Sequence, residues 1–416
     1  MATKGSQSNS GLATFEYSVR DPNGQVVRGR IEARDKNAVA SRLREMNLTP
    51  LVVNEVSTSG LQTEINIPGL SGRIDLKDLA VMSRQMATMV SAGLSLLRTL
   101  TILAEQTENK ALAKILAQVR GDVEVGSSLS SSFAKHATVF PPIMINIVRA
   151  GEVGGFLEKS LLSVANNFEA EVKLRAKIKS AMTYPVVVLF IAIAAVIGML
   201  LFIVPVFENM FDGLGGELPA PTQFLVLLSG WMKWLAPLLL VVGVVFSIWW
   251  SKNKNDETVR AKVDPWKLKL PVFGKLFTKV AIARFTRNFS TMLGAGVPIL
   301  QALDIVGQTA GNYVIEDSLK DVARAVKTGQ SIGDPMSRHD VFPPMVTQMV
   351  AVGEDSGALE LMLEKVSEFY DDEVEATTEQ LTALLEPLMI VFLGGIVGGM
   401  IIALYMPIFK IFDLMG

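Results

Sequence analysis

Two hydrophobic patterns alternate along most of the chain. In one, Leu79, Met82, Met86, Met89 and Val90 recur at spacings of three, four, three and one, which places them on one face of a helix. Ile282, Phe285, Phe289, Met292 and Leu293 repeat that spacing further on. In the other pattern the apolar residues are continuous. "YPVVVLFIAIAAVIGMLLFIVPVF" (184–207) and "PLMIVFLGGIVGGMIIALYMPIF" (387–409) carry no charge. "FLVLLSGWMKWLAPLLLVVGVVFSIWW" (224–250) carries only Lys233, near one end and flanked by Trp231 and Trp234, so its amine can reach the interface. A hydrocarbon core of about 30 Å needs about 20 apolar helical residues, so all three runs are read as membrane spans.

The two halves of the chain align with each other. "SRQMATMVSAGLSLL" (83–97) matches "TRNFSTMLGAGVPIL" (286–300), and "VFPPIMINIVRAGE" (139–152) matches "VFPPMVTQMVAVGE" (341–354). Arg84 corresponds to Arg287, Pro185 to Pro387 and Pro205 to Pro407. The repeat is parallel and includes the span that follows each helical domain, so the middle span is the returning helix. Each repeat is expected to hold about six helices joined by short connections. Gly93 and Gly296 are expected to close the first helix of each. Pro298 is expected to open the helix after Gly296, and Pro141 and Pro343 to open helices ending at Gly151 and Gly353. A last helix from Phe156 or Ala358 is expected to run almost unbroken into its span.

The start of the chain reads differently. Residues 1–13 are small and polar and are expected to be a disordered tail. Residues 14–56 read as a small α+β module: "FEYSVRD", the turn "DPNG", "QVVRGRIEA", the helical "KNAVASRLREM" and the strand "LTPLVVNEV". A Ser/Gly-rich linker, 57–74, follows. The expected fold is therefore mostly α and integral to the membrane. It comprises cytoplasmic helical domains at 75–179 and 278–385, spans at 184–207, 224–250 and 387–409, an external loop at 208–223, a connector at 251–277 and an external tail at 410–416.

Charge fixes the orientation. Lys173, Arg175, Lys177 and Lys179 precede the first span, and Lys252, Lys254, Arg260 and Lys262 follow the second. The loop "ENMFDGLGGELPAPTQ" between them has no Lys or Arg. The positive-inside rule places the N-terminus in the cytoplasm, and parity places the C-terminus outside. With 39 basic and 41 acidic residues the net charge is near zero and implies no strong attraction for nucleic acid. Zero cysteines exclude disulfides, thiolate metal sites and thiol nucleophiles. No phosphate-binding glycine loop with its lysine occurs, so ATP hydrolysis by this chain is not expected. His136 and His339 each precede a Phe-Pro-Pro and lack a second ligand pattern. They read as exposed polar positions rather than as a metal pair, and neither a metal nor a cofactor is expected. The spans lack the paired aspartates of an intramembrane protease and the midplane charges of a transporter.

Two pairs of charged residues stand out. Glu152 and Glu354 sit in matching Gly-Glu-x-x-Gly turns, the second closing at Gly357. As structural elements they would mark a helix junction, each carboxylate near the N-terminus of the next helix. As functional elements they would contact a partner or a cation. Arg84 and Arg287 lie on otherwise apolar helices. Either they form ion pairs within the bundle, with a Gly-Glu carboxylate as one candidate, or they contact a partner at the surface. "FLGGIVGGM" offers a small-residue face for close helix approach, either within the protein or to a passing helix.

"KIKSAMTYPVVVLFIAIAAVIGMLLFIVP" (177–205) resembles the signature of the type II secretion F family, which includes platform proteins of type IV pili. "RQMATMVSAG", the two Gly-Glu turns and "ALYMPIF" share the resemblance, which runs from Phe15 to the C-terminus. It implies a non-enzymatic platform in the inner membrane beneath a growing fibre. It also implies a cytoplasmic hexameric ATPase, pilin subunits and other inner-membrane assembly proteins as partners, and a homodimer or higher homo-oligomer. A type II secretion pseudopilus is the alternative setting. Glu386 precedes Pro387 where Tyr184 precedes Pro185, so a role for that tyrosine need not be duplicated.

Overall fold

The structure is a computed structural model that describes residues 13–20, 26–33, 38–39, 49–55, 74–212 and 218–415. It divides into two units, residues 1–73 and 74–416. In the first, strands β1 (Ala13–Arg20), β2 (Val26–Ala33) and β3 (Thr49–Glu55) form an antiparallel sheet of order β2-β1-β3. The register sets Phe15 opposite Ile31 and Glu55, with an irregularity at Ser18/Val19. All but two residues of the helical stretch "KNAVASRLREM" lie outside the described residues, as do the expected tail to residue 12 and the linker to residue 73.

The second unit is helical. Its first half comprises α1 (Leu76–Ser91), α2 (Leu96–Gln106), α3 (Lys110–Glu124), α4 (Leu129–Ala134), α5 (Pro142–Gly154) and α6 (Leu157–Gly198). Side chains at their starts explain where several begin. Asp75 and Asp78 form a reciprocal capping box on α1, and Ser95, Asn109 and Ser128 cap α2, α3 and α4. A π turn, Met199–Ile203, links α6 to α7 (Val204–Asp212), and α8 (Ala220–Asn253) returns across the membrane. The expected connector is itself partly helical, as α9 (Glu257–Lys269). Buried Asp264 on α9 accepts from the Tyr313 backbone N–H at 3.0 Å, while Arg260 reaches Glu316 at 3.0 Å. The second half follows as α10 (Phe273–Gly294), α11 (Ile299–Thr309), α12 (Tyr313–Lys327), α13 (Gly333–Ser337), α14 (Pro344–Ser356) and α15 (Leu359–Met415).

The periodic positions of both halves meet in one continuous core. Met82, Met86, Phe133 and Phe140 from the first half, and Phe285 and Phe289 from the second, are buried in it. By contrast, the apolar residues of α6, α8 and α15 face outward: Phe190, Trp234 and Val391 are each more than 70% exposed. Apolar side chains at that exposure need lipid as solvent. Three helices are long and apolar enough to cross a bilayer, and the protein is a multi-pass membrane protein. The spans touch at one level, through Leu200, Val204, Leu225, Met400 and Leu404.

Four local expectations need correction. Gly151 and Gly353 do not close their helices; α5 and α14 run past them, and the left-handed residues that end the helices are Gly155 (φ 74°) and Gly357 (φ 71°). Pro298, Pro141 and Pro343 are the N-caps of α11, α5 and α14 rather than their first residues. The second half begins at Phe273, earlier than residue 278. Residues 410–415, expected as a tail, continue α15.

Candidate functional site

The residues singled out in the sequence fall into three structural groups. The first is the Gly-Glu turn. Glu152 lies in the last turn of α5 and accepts backbone N–H bonds from Leu129 and Ser130, the first residues of α4. Glu354, on α14, accepts from Ile332 (2.7 Å) and Gly333 (3.4 Å) at the start of α13. Each carboxylate does meet a helix N-terminus, but that of an earlier short helix rather than of the next one. The reason is where the turn ends. With α5 and α14 extended to Gly155 and Gly357, each glutamate still points from a helix flank, and the exposed amides nearest it belong to α4 or α13. Gly151 and Gly353 serve the crossing that follows. A Cβ at Gly151 would lie 2.3 Å from Ser160 Oγ, and one at Gly353 would lie 2.9 Å from the Leu359 Cα. Glu152→Ala is expected to destabilise the first half by about 0.5–2 kcal/mol, as for loss of a helix cap. Faster hydrogen exchange at Leu129 and Ser130 is the measurement.

The second group surrounds the arginines. Arg84 makes a bidentate pair with Glu169 on α6 (2.6 Å for both contacts) and donates to Asn166. Glu152 is therefore not its partner. The Arg84 hydrogen bonds hold the Glu169 carboxyl below its usual range. A depressed carboxyl stabilises the fold above the unfolded carboxylate pKa, and the contribution is lost as pH falls through the folded one. Acidification is therefore expected to loosen α1 from α6 by a small amount, because the pair is partly exposed. Glu169→Gln should abolish that pH dependence in hydrogen exchange of α1.

Arg287 is more enclosed. It pairs with Asp371 on α15 and approaches Glu171 on α6 at 3.9 Å. Glu171 also receives Arg284 (2.6 Å) and Arg175 (2.6 Å). Arg287 thus ties α10 to both long helices, which also pair through Lys177 and Glu375 and pack Leu174 against Val374 and Leu381. Tyr184 sits beside this stretch, half exposed. Gly93 (φ 86°) and Gly296 (φ 70°) turn the chain into the second helix of each half.

The third group is the prolines. A helical proline leaves the carbonyl four residues earlier without its donor. For Pro185 that carbonyl is Ala181, and Thr382 Oγ1 of α15 lies 3.4 Å from it, sharing its single proton with the Thr378 carbonyl at 3.0 Å. For Pro407 it is Ala403, and it accepts from buried Thr222 Oγ1 of α8. For Pro205 it is Leu201, inside the π turn Met199–Ile203, a local widening that adjusts the ladder. The helices therefore pass their prolines without ending. Pro387 also lies within α15. Thr382 and Thr222 were not singled out in the sequence. The freed carbonyls can be counted from the prolines, but the helix that supplies each hydroxyl cannot. Thr222→Val keeps the shape and removes the bond. It should loosen α8 from α15 by about 0.5–1.5 kcal/mol, read as a lower thermal midpoint in detergent.

Among the described residues, the glycines of α15 face open space. A Cβ at Gly394, Gly395, Gly398 or Gly399 would meet nothing within 4 Å outside its own helix. Among the described residues no group of three metal-ligating side chains occurs.

Comparison with known families decides what this arrangement belongs to. The family described as type II secretion system (T2SS), protein F, matches residues 82–205 and again 285–407, and its N-terminal domain matches 12–54. The chain belongs to the type II secretion system protein F family. The family model therefore matches two stretches, each beginning on the arginine helix and ending at Pro205 or Pro407. The chain is 42% identical over 401 residues to "Type IV pilus assembly protein PilC" of Myxococcus xanthus, covering 96% of this chain and 95% of that one. It is 43% identical over 403 residues to the protein of the same name from Thermus thermophilus, covering 96% and 98%. "Type II secretion system protein F" of Vibrio cholerae is 32% identical over 407 residues, covering 97% and 100%.

Proposed function

We propose that this protein is the non-enzymatic inner-membrane platform of a type IV pilus machine. It couples a cytoplasmic assembly or retraction ATPase to the movement of pilin subunits into or out of the fibre. The observation that carries the mechanism is continuity: α6 and α15 each run as helix from a helical half into a span, through Pro185 and Pro387 at the entries. A rigid helix transmits a rotation or tilt along its length, so movement imposed on the cytoplasmic side reaches the bilayer. The greater identity to the pilus proteins than to the secretion protein favours the pilus setting over a pseudopilus.

In this reading the two helical halves are duplicated six-helix domains in the cytoplasm, and the N-terminal strands belong to a small α+β module. The N-terminus is cytoplasmic, as the basic flanks of the first two spans indicate, and the C-terminus is external by parity. The hexameric ATPase meets the helical domains, the pilin helix meets the spans, and other inner-membrane assembly proteins complete the site. The chain acts as a homodimer or higher homo-oligomer. Loss of the gene should abolish surface fibres while ATPase activity and pilin processing persist. Normal fibres without it would refute the reading. Pilin and retraction-ATPase genes beside it would favour the pilus, and secretin and exoprotein genes the secretion system.

A further inference from the structure

The two helical halves touch through different faces. On the first half the face is α5 and α6; on the second it is α10 and α11, and one flank of α15 also packs on α6 through Glu375, Val374 and Leu381. Asn167 Nδ2 donates to Asn288 Oδ1 (3.0 Å) and Thr291 Oγ1 (3.3 Å), and Gln301 Nε2 donates to Asn146 Oδ1 (3.0 Å). Arg284 adds its pair with Glu171. The contact of α5 and α6 with α10 and α11 is between unlike faces, so it leaves open the α1–α2 face and the flank of α15 that carries Phe369, away from α6, and a contact of this kind can repeat.

The matching faces follow from the internal alignment. Arg84 with Glu169 and Arg287 with Asp371 occupy corresponding places, which fixes the register of α6 against α15. The second-half counterpart of Asn167 is then Phe369, and the first-half counterpart of Asn288 is Gln85. Asn167 is 6% exposed, whereas Phe369 is 49% exposed. Ala295 is fully buried beside the contact, whereas its counterpart Ala92 is exposed. Gly296 lies beneath the Phe156 ring, whereas Gly93 has nothing within 4 Å.

Both open faces also carry exposed apolar residues. Phe369, Leu361 and Val352 stand exposed on α14 and α15, and Val81 and Leu97 on α1 and α2. Gln348 and Arg98 replace Asn146 and Gln301, so an acceptor and a donor persist at that position. We propose that the α14–α15 face of one copy docks on the α1–α2 face of a second copy, in the register of the contact already made inside the chain. Phe369 then covers Gln85, and Gln348 accepts from Arg98.

The inference rests on reading the halves as equivalent domains, and the test separates the two. The chain has no cysteine, so introduced thiols report alone. Full-length Phe369→Cys and Gln85→Cys chains carrying different tags are co-expressed in membranes and treated with a short bismaleimide. The expected product is a mixed dimer bearing both tags, with neither variant cross-linking to itself. Adding Phe369→Glu in place of the cysteine variant should remove dimers from detergent-extracted protein by mass measurement. A chain with Asn167→Cys and Asn288→Cys is the internal control and should cross-link within itself. No mixed dimer with that control intact would overturn the docking surface, as would Phe369→Cys chains joining to each other. Failure of the control would overturn the domain contact and the docking register together.

Discussion

A flexible glycine linker inserted between Lys179 and Tyr184 should abolish fibre assembly while leaving ATPase binding intact. The insertion lies on α6, below the first span and beyond its contacts with α1, α5 and α10; of the contacts described it reaches only the one between Ala181 and Thr382. The core around Phe133 and Phe140, the Arg84–Glu169 pair and the Glu152 cap all lie upstream of it. The cytoplasmic fold should therefore survive. What is lost is the fixed rotation between bundle and span, because glycine weakens a helix by about 1 kcal/mol per residue and a run of them interrupts it. The span would still insert, since its apolar residues are unchanged. Co-purification with the ATPase and electron microscopy of surface fibres are the two readouts. Fibres at normal number in the insertion strain would show that drive does not pass along α6.

The second large effect is expected at Arg287. This arginine on α10 pairs with Asp371 of α15 and lies near Glu171 of α6, with only 9% of its side chain exposed. Arg287→Ala leaves Asp371 without that cation in a partly enclosed site, and should cost about 1.5–3 kcal/mol, the range for a hydrogen bond to a charged group. Glu171 keeps Arg284 and Arg175, so the first half should hold its fold. The loss is expected where the halves join. Hydrogen exchange should accelerate in α10 and in the cytoplasmic part of α15, with α1 to α4 unchanged. Arg287→Lys should recover only part of the effect, because a lysine offers a point charge in place of the planar fork.

Much of this architecture is legible in the sequence. Uninterrupted apolar runs are long-range physics written locally, because a bilayer demands about 20 apolar residues whatever the rest of the chain does. The helix faces that carry Met86 and Phe289 are equally local, since the period of a helix fixes them. The Gly-Glu turn was harder. Its residues announce a helix end, yet whether the end falls at Gly151 or at Gly155 depends on how closely α6 crosses α5. Glu152 then finds its partner on α4, and no local pattern names that partner. Arg84 and Arg287 show the same limit. Their presence on apolar faces signals a paired charge, but Glu169 and Asp371 are supplied by a helix far along the chain. The proline carbonyls mark the boundary of what can be read: Ala181 and Ala403 follow by counting, and Thr382 and Thr222 require the fold.

The central claim is that the bundle and the span move as one body. Spin labels at cysteines replacing Lys159 and Phe202, both exposed, test it directly in a chain that has no other cysteine. Along one helix these positions are about 65 Å apart. With the protein in lipid nanodiscs and the pilus ATPase turning over ATP, a single narrow distance near that value, unchanged by nucleotide, is the predicted result. A broad distribution, or a distance that shortens when ATP is added, would place a hinge at Pro185 and contradict transmission by a rigid helix.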